Sequence, residues 1–160
     1  MLEEYKAPES NIEIGPEKQG IETLPRFSAW AVAGLTIITL GIYPIYWLYV
    51  RTQSVNEICE DEIPQWLILS SIIAYLVAFA SNFIPEAYRL EPKIIISMAV
   101  VSIANMFLYL WWIVALRNRL QKLVDLRQFP DFKFGPVLTF FFQTLYLQYK
   151  INQYIDNSDA

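Results

Sequence analysis

Three stretches of this chain, residues 27–50, 63–85 and 94–116, carry no charged side chain over more than twenty consecutive positions each. About twenty helical residues, rising about 1.5 Å apiece, cross a hydrocarbon core of roughly 30 Å, so each stretch is long enough to span a bilayer. A soluble fold would have to enclose three helices that are apolar on every side, and a chain of 160 residues cannot supply the surrounding layers. The fold class expected is an all-α membrane protein, a small bundle of three transmembrane helices with a shorter fourth.

Composition narrows function mainly by exclusion. A net charge of −4, held in the ends and connections, gives no reason to expect a nucleic-acid partner. The single cysteine, Cys59, excludes an intramolecular disulfide, and the absence of histidine removes the commonest metal ligand and general base. No glycine loop of the phosphate-cradling kind and no nucleophile with a base at readable spacing is present, so no catalytic, cofactor or metal site is expected. The first ten residues are acidic and polar where a secretory leader would be basic and then apolar, so no cleaved leader is expected.

Residues 1–24 read as a flexible acidic tail, 25–156 as the helical membrane domain and 157–160 as a polar carboxyl-terminal tail. In the first apolar segment Pro44 lacks an amide hydrogen and opposes the Leu40 carbonyl, which predicts a kink eased by Gly41. Tyr43, Tyr46, Trp47 and Tyr49 crowd into its end ahead of Arg51, the pattern of an aromatic anchor at headgroup level. The connection that follows carries Glu57, Glu60, Asp61 and Glu62, which match no calcium loop and read as a solvated turn.

The third segment ends on Tyr109, Trp111 and Trp112, again interface anchors, before the basic cluster Arg117, Arg119, Lys122, Arg127 and Lys133. Leu116, Leu120, Leu123 and Val124 keep a three-to-four spacing, so its helix is expected to run on to about Phe129 as an amphipathic stalk lying on or leaving the membrane. The last segment, 134–155, opens on Gly135 and Pro136, which suit a helix start, and holds the anchors Tyr146 and Tyr149. Its uncharged part is short, so it can span with Lys150 snorkelling, enter and return, or lie at the interface; spanning is the expectation adopted.

No Asp, Glu, Lys or Arg lies inside the three long segments, where ion-coupled carriers keep one. Ser102 and Asn105, one turn apart, are expected to hydrogen-bond a neighbouring helix. A shift of one hundred positions superposes Thr39 on Thr139, Tyr46 on Tyr146 and Tyr49 on Tyr149, a weak repeat whose copies would run antiparallel. The basic cluster is expected in the cytoplasm, with Arg51 on the same side and the amino terminus outside, although four spans divide lysine and arginine evenly between the two faces.

The run from Thr39 to Tyr49, TLGIYPIYWLY, with Arg51 and Asn56 after it, resembles the TLGIYxIYWxY signature of a family of small bacterial membrane proteins defined by a domain of unknown function. The closing run 145–152, LYLQYKIN, is similar to the ending of many members, and Pro44 stands where a small residue is common. The resemblance implies a multi-pass protein of the bacterial inner membrane and implies no activity. The function expected is non-enzymatic: an accessory, assembly or interaction subunit with the lipid bilayer and a protein partner or second copy as its contacts. The alternative is a small oligomeric channel or carrier.

Overall fold

The computed structural model describes residues 20–126 and 132–158. Among these residues the chain is all-helical: a short 3-10 turn at Ile21–Thr23, then α1 (Ala29–Ile38), α2 (Ile42–Ile58), α3 (Gln65–Ala80), α4 (Glu86–Arg89), α5 (Pro92–Leu126) and α6 (Pro136–Ser158). Two helical stretches, Gln65–Phe83 and Pro92–Asp125, are long and apolar enough to cross a membrane. They pack against each other through the edge-on rings of Trp66 and Trp111, 5.5 Å apart, and a hydrogen bond from Ser71 Oγ to the Leu108 carbonyl at 3.3 Å.

The first apolar segment is not one kinked helix. α1 stops after ten residues in a paired turn: the Gly41 amide bonds the Thr36 carbonyl at 2.8 Å and the Leu40 amide bonds that of Ile37 at 3.1 Å. Those two bonds are the Schellman pattern, which requires a left-handed residue just past the cap. Leu40 fills that position with φ 52° and Gly41 follows with φ 92°. Thr39 closes the turn from the other side, donating to the Leu35 carbonyl at 2.7 Å and accepting the Tyr43 amide at 2.9 Å. Pro44 therefore falls in the first turn of α2, where its missing N–H deprives the helix of nothing.

After this break the chain turns back on itself. α1 and the part of α2 up to Arg51 are each about 15 Å long, yet Arg51 Nη2 reaches the Pro25 carbonyl at 2.7 Å and the rings of Phe27 and Tyr43 lie 6.4 Å apart. The last segment does the same. Gln143, with φ 44° and ψ −123°, interrupts α6, and the residues before the helix return to those beyond the interruption. The Gly135 amide donates to the Tyr146 hydroxyl at 2.8 Å, and the Phe132 ring meets Tyr154 edge-on at 5.3 Å. A straight α6 would hold these groups far apart, so this segment folds back where a span was expected.

Both folded-back segments point the same way. Gly41 at the first break accepts the Tyr75 hydroxyl of α3 at 2.7 Å, Gln143 at the second accepts the Tyr109 hydroxyl of α5 at 3.0 Å, and beyond the breaks Trp47 meets Gln148. The copies related by one hundred positions are thus parallel, where the antiparallel arrangement of inverted repeats was expected. Thr39 and Thr139 even make the same bond, to the carbonyls of Leu35 and Gly135 at 2.7 and 2.9 Å.

The core gathers at the end of the bundle away from the breaks. Leu116, Leu120, Leu123 and Val124 of α5, read as the apolar face of a stalk, are buried against α2, α6 and the 3-10 turn. Ile21, 1% exposed, and Leu24 join them, so the end of the segment read as an acidic tail belongs to the core; the rest of that tail lies outside the described residues. By contrast Leu69, Ile73, Leu76, Ile96, Val100, Ile103 and Phe107 of the α3–α5 pair are exposed.

The break generates a pair of opposed predictions. Gly41→Ala puts a Cβ into a left-handed residue and within 3.2 Å of the Tyr75 hydroxyl, and should destabilise the protein by about 1–2 kcal/mol. Leu40→Gly relieves the same backbone cost at a side chain that is 77% exposed, and should be neutral or stabilising by up to about 1 kcal/mol. Thermal unfolding of the detergent-solubilised protein measures both.

Candidate functional site

α2 buries Ile45, Leu48, Thr52 and Val55 on a three-to-four spacing, with Trp47 and Arg51, also one turn apart, on the flank of that face. Arg51 is 4% exposed, and its guanidinium lies 5.7 Å from the centroid of the Trp47 ring. From α6, Gln148 presents its side-chain carbonyl to both: Oε1 accepts Trp47 Nε1 at 2.9 Å and Arg51 Nη2 at 2.9 Å. Gln148 Nε2 in turn donates to Asn152 Oδ1 at 2.8 Å, and Asn152 Nδ2 donates to the Phe27 carbonyl at 2.7 Å. One continuous polar chain therefore ties α2, α6 and the strand of backbone ahead of α1.

That chain leaves Arg51 incompletely satisfied. Its Nε and Nη1 are buried and have no hydrogen-bond partner among the described residues. The acceptors it does have, an amide oxygen and a backbone carbonyl, are neutral, and no carboxylate bonds it among the described residues. Charges withdrawn from water in this way are costly unless a counter-charge meets them. Beside it opens a cavity of about 140 Å³ lined by Arg26, Tyr43, Tyr46, Trp47 and Val50 as well as Arg51.

The structure divides the residues expected at the membrane interface. Tyr46, Tyr49, Trp111 and Tyr149 are exposed as anchors must be. Trp47 and Trp112 are not: both rings are buried, and their N–H groups are taken by Gln148 and, at 2.9 Å, by Thr52 Oγ1. An indole N–H inside a core needs an acceptor, and each has one. Tyr43 is half-buried against Phe27, and Tyr146 is half-buried with its hydroxyl bracing the return of α6.

Three residues of the basic cluster, Arg117, Arg119 and Lys122, act as clamps. Arg117 donates through Nε, at 2.6 Å, and Nη2 to the Phe134 carbonyl at the start of the last segment. Arg119 grips Asp61 by its carboxylate at 3.0 Å and its backbone carbonyl at 2.7 Å, with Lys122 3.7 Å from the same carboxylate. Part of the acidic connection is thereby paired rather than merely solvated. Lys133 is exposed, and Arg127 lies outside the described residues. Among the described residues Ser102 is exposed and makes no interhelical bond, and Asn105 is half-buried with Oδ1 buried and unpartnered. The bond between α3 and α5 comes from Ser71 instead.

Sequence reasoning did not single out Gln148 and Asn152 as site residues. Their signal was present, two amides one helical turn apart in an otherwise apolar and aromatic segment, which is the spacing of a shared face.

If Gln148 holds the site together, Gln148→Met should cost about 2–4 kcal/mol, since it leaves the Trp47 indole and one Arg51 nitrogen short of an acceptor. In a double-mutant cycle Trp47→Phe and Gln148→Met should couple by more than about 0.5 kcal/mol; additive effects on unfolding would show that the bond carries no energy.

Neither a curated protein nor a solved structure matches the chain. Residues 27–157, which include both folded-back segments and the Arg51–Gln148 network, match the family described as Domain of unknown function (DUF4234), and the chain belongs to that family.

Proposed function

We propose that this is a multi-pass protein of the bacterial inner membrane, without enzymatic activity, acting through contacts as an accessory or assembly subunit. The observation that carries the reading is the exposed apolar face of α3 and α5, which runs from Leu69 to Leu76 on one helix and from Ile96 to Trp111 on the other and calls for lipid or a partner helix. In the threading that suits the fold, α3 and α5 cross the bilayer, and the two folded-back segments enter from one face and return to it. α1, at about 15 Å, reaches about half-way through the hydrocarbon.

This threading also orders the charges. Arg26, Arg51, Arg117, Arg119, Lys122 and Lys133 fall on the face where the segments enter, and Arg89 and Lys93 on the other. The imbalance supports a cytoplasmic position for the first face, with both ends of the matched domain inside. In a Cys59→Ser background, single cysteines at Thr23, Asp61 and Asn157 should all react with an impermeant maleimide only from the cytoplasmic side, and one at Glu86 only from outside. Thr23 and Asp61 reporting on opposite faces would mean that the first segment crosses.

The rival reading, a small oligomeric channel or carrier, is favoured by one feature: two interrupted helices, one break held by Tyr75 and the other by Tyr109, since discontinuous helices line the solute sites of transporters. Purification in mild detergent at native expression separates the two. A stoichiometric partner supports the subunit; a homo-oligomer that passes solute in liposomes supports the carrier.

A further inference from the structure

We infer that the protein recognises membrane curvature, settling where the leaflet around its folded-back segments is the convex one. Burial along the two long helices stops at a single level. On α5 the buried residues lie between Trp112 and Val124, and none from Pro92 to Trp111 is buried. On α3 burial ends at Ser71, and no residue from Ile72 to Ala80 is buried. Ser71 bonds the Leu108 carbonyl, so the two limits stand side by side, next to Tyr75 and Tyr109, which hold the two breaks. On the core side of that level α1, α2, α3, α5 and both arms of α6 share the cross-section, six helical sections among the described residues. On the other side α3 and α5 alone continue, two sections joined at their far end by α4.

The difference in width is large. The four further sections, each about 10 Å across, occupy on the order of 300–400 Å² more at one end than at the other. From Tyr109 to Pro92 α5 extends about 25 Å beyond the breaks. In the threading proposed above, on which this inference rests, the wide end therefore fills the cytoplasmic leaflet and the narrow end the opposite one. The tips of the folded-back segments, Ile37, Ile38 and Leu40 on one and Phe140, Phe141 and Phe142 on the other, are apolar and exposed. Such tips suit hydrocarbon, so acyl chains of the opposite leaflet close over them. A wedge of this shape relaxes where the leaflet at its wide end has the greater area, which is the convex side of a curved bilayer.

Membrane tubes drawn from giant vesicles of phosphatidylcholine and phosphatidylglycerol test this, since labelled protein diffuses between a tube and its parent vesicle until its density settles. In a tube about 50 nm across, a bilayer about 40 Å thick gives the outer leaflet roughly a fifth more area than the inner. In a Cys59→Ser background, Asn157→Cys lies at the wide end and Glu86→Cys at the narrow end, both at exposed positions. Each is labelled from outside with an impermeant maleimide dye, so that the dye marks one orientation at a time. Molecules with the wide end outward should be denser in the tube than in the vesicle by about twofold or more, and those with the narrow end outward depleted by a similar factor. Equal density in tube and vesicle for both orientations, or a change of the same sign in both, overturns the inference and leaves the threading standing. Thr23→Cys and Asp61→Cys labelled from opposite faces would instead overturn the threading, and the inference with it.

Discussion

The side-chain carbonyl of Gln148 accepts two hydrogen bonds at 2.9 Å, one from the Trp47 indole and one from the Arg51 guanidinium, and the rest of the arrangement depends on that double acceptance. It is the point at which two segments nearly a hundred residues apart are held side by side. With α2 and the second arm of α6 fixed there, Leu48, Leu147 and Ile151 are buried with α5 in one core, and Ile21 and Leu24 are buried with them. A buried amide oxygen with both lone pairs occupied is a rigid joint, because every alternative arrangement strands two donors away from water.

The two folded-back segments meet a severe constraint. The backbone groups that a helix releases at a break need partners from the rest of the protein. The first break meets it locally, through the paired turn bonds of Leu40 and Gly41 and the Thr39 hydroxyl, and then at longer range through Tyr75. At the second break the Tyr109 hydroxyl of α5 bonds the Gln143 side chain, which pins the break without satisfying its backbone. Each break is thus covered by a tyrosine from one of the two long helices. α3 and α5 pack on each other and stay exposed along their outer faces.

How far the chain could be read in advance differs from element to element. The start of α6 at Pro136 and the continuation of α5 through Leu126 followed from local rules, one from proline geometry and one from a three-to-four stripe. The fold-back of the first segment was half-legible, since Pro44 and Gly41 mark a disturbance, but a kinked helix and a hairpin share that mark. Gln143 carries no sequence sign at all; a glutamine with positive φ is held there by what surrounds it. Trp47 and Trp112 were misplaced for a related reason, because an aromatic residue near a basic one looks the same whether it faces headgroups or a buried amide.

Sequence alone determined that the chain is helical, that its apolar segments are long enough for a bilayer, and where its helices can begin. Those properties follow from charge-free length, proline position and periodicity, which act within a few turns of chain. Which apolar segments run straight and which fold back was decided only in the tertiary structure. So was the burial of Arg51 with two nitrogens unpartnered among the described residues. Both depend on contacts between residues far apart in the chain, Pro25 with Arg51, Gly41 with Tyr75, Trp47 with Gln148. No local rule encodes them, because a broken helix loses backbone bonds, and whether a distant neighbour takes up the released groups is not written in local hydrophobicity.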